Sequence, residues 1–571
     1  MKYKIIKNIY IINIERMMPF RPTFTFENKD FDSNGRKFGV LSIATDNNSE
    51  YVNLKPIHIR FNNDISSSMD ERNDNKRNSR SKIYYLKQSM IGILKHLASI
   101  CDSTNITITI YNFESNVSEL ISNVKVTNDN VEELIEKIRK IMARDSTNFE
   151  KIMINSRDEL SARIGANPDH IYADVLMTDG DITEGDMKID SLKRYINPNI
   201  INAFIGYGYD QNSVLLNAFS KVVNGSYNCI DNVEKGALVY GEVLSNIINI
   251  AFLKVTISIQ NGLIYDWKEN KFVDLMAVDN FIWGSIKSFH IVSENPEQVV
   301  INIIAICSRT GEAISITVSD KKEEDLTNFK YRHRVLELLD RIKCFNQEDY
   351  LYNKAYYSEG FGNDDYDYEL ERENKKLFNK KYRETKKTFK KELSDLFKEI
   401  KLYMSSNELS DDNFYKRLLD DLYITHLTFG TNCGNMYTCA RQSSQGQQRI
   451  YSATDTPRAP RNRDYDSDED NVVSCFTSPS TIIQWGAPTR SHSVPFDNDE
   501  PPSPRMPTRQ TNSLSIDLDL GSDDDDDMGF HNVTDDCELT PYSNFNTSST
   551  MRSVSNRNYD EEVILDADEN V

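Results

Sequence analysis

Ile57-His58-Ile59-Arg60-Phe61-Asn62-Asn63-Asp64-Ile65-Ser66-Ser67-Ser68 is the stretch whose reading decides the fold. Apolar residues alternate through Ile57, Ile59 and Phe61, the period of a strand with one face turned to a core. The alternation ends at a carboxylate followed at i+2 and i+4 by hydroxyls: Asp64, Ser66 and Ser68. A strand end turning into a loop converges those three oxygens on one point. Hard divalent cations such as Mg2+ take oxygen ligands in near-octahedral geometry at about 2.1 Å and keep some water. Asp and Ser also serve plain turns, so the string alone does not separate an ion site from a loop.

Two later segments separate them. Ser146-Thr147-Asn148 comes after a helical pattern, and Thr178-Asp179-Gly180-Asp181 comes after the apolar strand run Ile171 to Met177. The ordered set resembles the metal-ion-dependent adhesion site of von Willebrand factor type A domains. The resemblance implies an ion shell of Asp64, Ser66, Ser68, Thr147 and Asp179, some binding directly and some through water. It implies Mg2+ or Mn2+ as the ion, with one coordination position left for the Asp or Glu of a protein partner. The family usually has Gly between the two serines; here Ser67 stands there, which costs backbone freedom but removes no ligand.

The elements between these motifs read as alternating strands and helices. Ile83, Leu86, Met90, Ile93, Leu94 and Leu97 recur at helical spacing, and Ile106, Ile108 and Ile110 alternate as a strand. Val131, Leu134, Ile135, Ile138, Ile141 and Met142 form a second helical stripe. Ile201 to Ile205 is a strand, Val214, Leu215, Ala218, Phe219 and Val222 a helix, and Tyr227 to Ile230 a short strand after Asn224-Gly225-Ser226. Such alternation predicts an α/β, Rossmann-like, doubly wound and mostly parallel sheet over 55–250. Ligands bind such sheets outside the carboxyl ends of their strands, which is where the motifs fall.

Beyond residue 250 the pattern turns to β. Leu253 to Ile259, Val299 to Ala305 and Ala313 to Val318 read as strands of a small antiparallel sandwich over 251–320, joined by strands from the N-terminal segment 1–54. Residues 321–451 are helical and charged: Tyr331, Val335, Leu338, Leu339 and Ile342 mark one helix, and Glu371 to Met404 a long Lys/Glu-rich one. Its lysines read as a solvated face rather than a nucleic-acid surface. Ala440 to Arg449 resembles a short terminal motif of type A proteins with such extensions, and no chemistry attaches to it. Residues 452–571 hold 25 Asp and Glu against 8 Arg and no Lys, a charge of −17 out of the chain's −21. With ten of the sixteen prolines and few large apolar residues, they read as a disordered acidic tail.

Several classes are set aside. No run reaches the ~18 consecutive apolar residues of a membrane span, and Met1 to Arg16 lacks the small-residue cleavage site of a signal peptide. The eight cysteines are scattered without a Cys-x-x-Cys pair, which excludes zinc-finger spacing and fits a reducing, cytoplasmic setting. No nucleophile–base constellation or Gly-rich phosphate loop is readable, so the expectation is a non-enzymatic, metal-dependent protein-binding module. Two alternatives stand beside it: a scaffold with a vestigial metal site, and a Mg2+-dependent phosphoryl hydrolase using Asp64 and Asp179. Phosphoryl hydrolases of that kind place a carboxylate where this chain has Ser66, and a Lys between the motifs.

Overall fold

The computed structural model describes residues 20–46, 55–71, 81–180, 182–208, 211–230, 233–358, 368–430 and 433–449; the acidic tail lies outside them. The described chain begins with β1 (Phe20–Asp30) and β2 (Lys37–Thr45). It then builds β3 (Ile57–Asp64), α1 (Lys82–Ser99), β4 (Ile106–Phe113), β5 (Val117–Lys125), α2 (Val131–Arg139), α3 (Phe149–Ala166) and β6 (Ile171–Thr178). Next come α4 (Ile189–Lys193), β7 (Ile201–Tyr207), α5 (Ser213–Phe219), β8 (Gly225–Ile230) and α6 (Val233–Ile248).

These strands form one six-stranded sheet in the order β5-β4-β3-β6-β7-β8. All neighbours are parallel except the edge strand β5, which is antiparallel to β4. The chain leaves β3 toward β4 on one side and later crosses to β6 on the other, so the strand order reverses between β3 and β6. Ile57, Ile59 and Phe61 lie in one buried cluster with α1, α2 and α6; Phe149, Leu192 and Phe219 of α3, α4 and α5 belong to another with Phe204 and Tyr227 of the sheet. Helices therefore cover both faces, because parallel strands buried on two sides need a cover for each.

The other face of β3 is polar. Arg60 is fully buried and is bonded to Glu159 and, at 2.7 Å, to Asn155 of α3; Asn62 donates to Asp174 of β6 at 2.6 Å. Ser156 of α3 donates to the same Asp174 at 2.5 Å. Part of the face that α3 buries is thus hydrogen-bonding rather than apolar, which leaves its helical periodicity weak. The second predicted helical stripe ran too far: α2 ends at Arg139, and Met142 is exposed. Val222 likewise lies beyond the end of α5 at Phe219.

After α6 the chain runs directly into β9 (Ile250–Gln260), then β10 (Leu263–Asp266), β11 (Lys271–Val273), β12 (Leu275–Val278), β13 (Phe281–Ile282), β14 (Ile286–Ser293), β15 (Val300–Cys307), β16 (Ala313–Thr317) and β17 (Lys321–Glu323). One sheet has the order β11-β10-β14-β2-β1-β17 and the other β12-β9-β15-β16, with β13 also on β9. Phe20, Phe24, Leu41 and Ile291 of the first share a buried cluster with Phe252, Ile257, Ile301 and Ile303 of the second. Pairings are antiparallel except one: β17 runs parallel to β1, so the strands are not purely antiparallel and extend past residue 320.

Helices α7 (Thr327–Ser358), α8 (Tyr368–Ser406), α9 (Asn413–Thr428) and α10 (Gly434–Gln447) complete the described chain. Tyr331, Val335, Leu339, Leu393, Phe397, Leu418 and Tyr437 pack in the same cluster as Phe149 and Phe219, so these helices extend the core on the α3–α5 side of the sheet. The Ala440–Arg449 motif is their joint. Arg441 is wholly buried against Asp420 and Asp421, Ser443 donates to the backbone oxygen of Tyr227 in β8 at 3.0 Å, and Gln448 bonds the backbone of Ser288 in β14. Its chemistry is structural: polar side chains satisfying buried backbone across three layers.

Candidate metal centre

Asp64 ends β3 and Thr178 ends β6, so both motifs reach the carboxyl edge of the sheet where the strand order reverses. That is the position at which open α/β sheets form ligand crevices. Asp64 and Asp179 are completely buried, and Ser66 and Thr147 nearly so. One Asp64 oxygen, Oδ1, accepts the Ser66 backbone N–H at 2.8 Å, which holds the loop in a tight turn; Oδ2 accepts the Thr178 hydroxyl at 2.6 Å. The Ser66 and Ser68 hydroxyls lie 3.0 Å apart, and Ser68 donates to Asp179 Oδ1 at 2.9 Å. Four of the five sequence-derived residues therefore form one connected set.

Ser67 starts the short 3-10 turn Ser67–Asp70 and donates its backbone N–H to the Asp145 oxygen at 3.0 Å. It is not among the residues with positive φ, so a side chain fits where the family usually has Gly. Asp145 itself takes φ 59, a left-handed conformation that Asp tolerates. Arg144 N–H to Ile65 O at 2.7 Å adds a second stitch between the two loops.

Thr147 stands one residue before Asn148, whose side chain caps α3 by accepting the Lys151 N–H at 3.1 Å. Its backbone is tied to the loop after Asp179: Thr147 N–H donates to the Thr183 hydroxyl at 2.7 Å, and its oxygen accepts the N–H groups of Thr183 and Glu184. Among the described residues no hydrogen bond joins the Thr147 side chain to the other four. Gly180 is close-fitting, since a Cβ there would meet Ser68 Oγ at 3.3 Å.

Burial first, and the facing charge of Asp179 second, push the Asp64 carboxyl up to about 7. Two carboxylates held out of water repel one another, and neutral donors do not offset that fully. The donor set fits a hard divalent cation: every side chain offers oxygen, and positive charge relieves the repulsion. Among the described residues no cluster of three or more His, Cys, Asp or Glu side chains is placed to hold a metal ion; here two carboxylates stand among hydroxyls. The sequence reading missed Lys82. Its ammonium donates to Asp179 Oδ2 at 2.8 Å from a buried position at the head of α1.

Solved structures of von Willebrand factor type A proteins are similar to this chain. One from Catenulispora acidiphila is 12% identical with a TM-score of 0.42, covering 58% of this chain and 80% of its own. The ArnB paralog VWA2 from Sulfolobus acidocaldarius is 11% identical with a TM-score of 0.44, covering 75% and 98%. Proximal thread matrix protein 1 from the mussel byssus, with a zinc-occupied MIDAS motif, is 18% identical with a TM-score of 0.27, covering 34% and 48%. No protein-family model and no curated protein matches the chain.

Proposed function

We propose that the chain is a metal-ion-dependent protein-binding module rather than an enzyme. In this reading Asp64, Ser66, Ser68, Thr147 and Asp179 hold Mg2+ or Mn2+, and a partner's Asp or Glu completes the shell. The observation that carries it is the buried pair Asp64 and Asp179, connected through the Ser66 backbone N–H and the Ser66 and Ser68 hydroxyls at the sheet's reversal point. When bound, the ion would supply a directed, high-charge contact for the partner's carboxylate. The chain's own residues then have three tasks: Asp64 and Asp179 supply charge, Ser66 and Ser68 orient their hydroxyls through the turn, and the α3 cap holds the Thr147 loop.

Selection of a random peptide library on the full chain tests this. Enrichment of one invariant Asp or Glu in Mg2+, lost in EDTA and in the Ser66→Ala/Ser68→Ala variant, is expected. Equal enrichment in EDTA would contradict it. The second reading is a Mg2+-dependent phosphoryl hydrolase, and the Lys82–Asp179 contact is the observation that favours it. Ser66 in place of a second carboxylate opposes it. Turnover of a generic aryl phosphate in Mg2+, abolished in Asp64→Asn, would move the assignment to that class.

A further inference from the structure

Lys82 is the feature of the site that neither the motif nor the proposed module explains. The residue is only 4% exposed, and its ammonium lies 2.8 Å from Asp179 Oδ2 while the carboxylate's other oxygen accepts from Ser68. Its backbone N–H donates to the Glu71 oxygen at 3.1 Å, which ties it to the end of the turn that carries Ser66 to Ser68. Lys82 is also the first residue of α1, whose first turn holds no acidic side chain. A buried lysine at the positive end of a helix is doubly unfavourable, through desolvation and through the dipole. Asp179 supplies the close, buried compensating charge, and the exposed Glu71 carboxylate lies farther off at 3.8 Å.

We propose that Lys82 is a built-in counter-cation of the site, which holds Asp179 when no ion is bound and competes with the ion for that carboxylate. The inference rests on the metal-site reading. Without an ion, two facing buried carboxylates would destabilise the sheet edge; an ammonium against one of them removes much of that cost, so the fold does not depend on metal. When an ion arrives, it meets a positive charge already in contact with one of its ligands. Lys82 therefore sets a threshold: the module loads only at ion concentrations high enough to overcome the repulsion, and loading weakens the Lys82–Asp179 contact. It is a positioning residue, acting on the ion through Asp179.

Calorimetric titration of Mg2+ into the full chain, with thermal unfolding in EDTA and in Mg2+, tests this on the wild type and on Lys82→Met, Lys82→Gln and Lys82→Arg. Removing the ammonium should tighten Mg2+ binding by about tenfold or more, since two like charges this close interact strongly even when screened. Lys82→Met and Lys82→Gln should unfold at lower temperature than wild type in EDTA and recover in Mg2+. Lys82→Arg, which keeps the charge, should stay near wild type in both measurements. Unchanged Mg2+ affinity in Lys82→Met and Lys82→Gln, with wild type binding, would overturn the inference and leave the metal site standing. Binding by those variants but not by wild type would support the inference and remove metal binding from the native chain. Absence of binding in every protein, or variants unfolded with and without Mg2+, would overturn it.

Discussion

Among the described residues, the helical joint and the sheet edge each bury a pair of carboxylates against a basic side chain, and they are built differently. In the helical joint, Arg441 donates from one guanidinium nitrogen to both Asp420 and Asp421, and Gln445 adds an amide to Asp421 at 2.5 Å. At the sheet edge, Lys82 donates to Asp179, while Asp64 is met by the Ser66 N–H and the Thr178 hydroxyl. In the joint both acids share one cation; the ammonium at the sheet edge donates to Asp179 and not to Asp64. The joint is thus closed around its charges, whereas the sheet edge leaves one buried acid with neutral donors. Buried charge alone does not mark a functional site. An incomplete partner set is what singles out the candidate at the sheet edge.

The largest effect should come from breaking the closed set. Arg441→Met removes the hydrogen-bonded cation from two buried carboxylates, leaving the more distant Arg417 and Arg332 near Asp421, and should cost about 3–5 kcal/mol of stability in urea unfolding. Asp64→Asn removes a repelling charge and keeps an acceptor for the Ser66 N–H, so it should change stability by less than about 1 kcal/mol. Equal losses in the two variants would erase the distinction.

A third buried polar place offers an intermediate effect. His333 is buried against Phe38, Tyr265, Phe272 and His290, and its Nδ1 has no hydrogen-bond partner among the described residues. Burial lowers its pKa from 6.5 to about 4. The unfolded chain therefore binds a proton below about 6.5 that the folded chain refuses until about 4. Stability supplied by the neutral ring is complete above 6.5 and falls as pH drops through that window, by roughly 2–4 kcal/mol. His290, also held well below its ordinary value by burial, adds to the loss. His333→Phe should show a visibly smaller acid loss in unfolding experiments between pH 7 and 4 (~3 pH units, the span of this window); an unchanged slope would place the titrating group elsewhere.

The smallest effect on folding is expected at Thr147. Its side chain has no hydrogen bond to the other four residues of the set, so Thr147→Ala should alter stability by less than about 1 kcal/mol while weakening Mg2+ binding in titration calorimetry. A variant that binds the ion as wild type does would remove Thr147 from the shell.

The α/β alternation was legible because Ile57, Ile59, Phe61 and the α1 stripe follow clean periods. The candidate set could be named because its oxygens sit in short, ordered strings, and the fold brings four of its five residues together. What escaped has physical reasons. Helix α3 packs partly polar residues, Ser156 and Asn155 among them, onto Asp174 and Arg60, so hydrophobic periodicity does not reveal it. Lys82 lies outside every motif string, and only folding brings it to Asp179. A lysine opening a helix, where a carboxylate is favoured, was the one signal available. The Ala440–Arg449 string carried no readable chemistry because its partners, Tyr227, Ser288 and Asp421, come from β8, β14 and α9.

Thermal unfolding of the full chain in EDTA and in millimolar Mg2+, wild type beside Asp64→Asn, tests the central claim most directly. An ion that binds the folded state raises the melting temperature by mass action. Wild type should gain a few degrees, roughly 2–5 °C for a protein of this size, and Asp64→Asn should gain none. No shift in wild type, or the same shift in both, would contradict a metal centre built on Asp64.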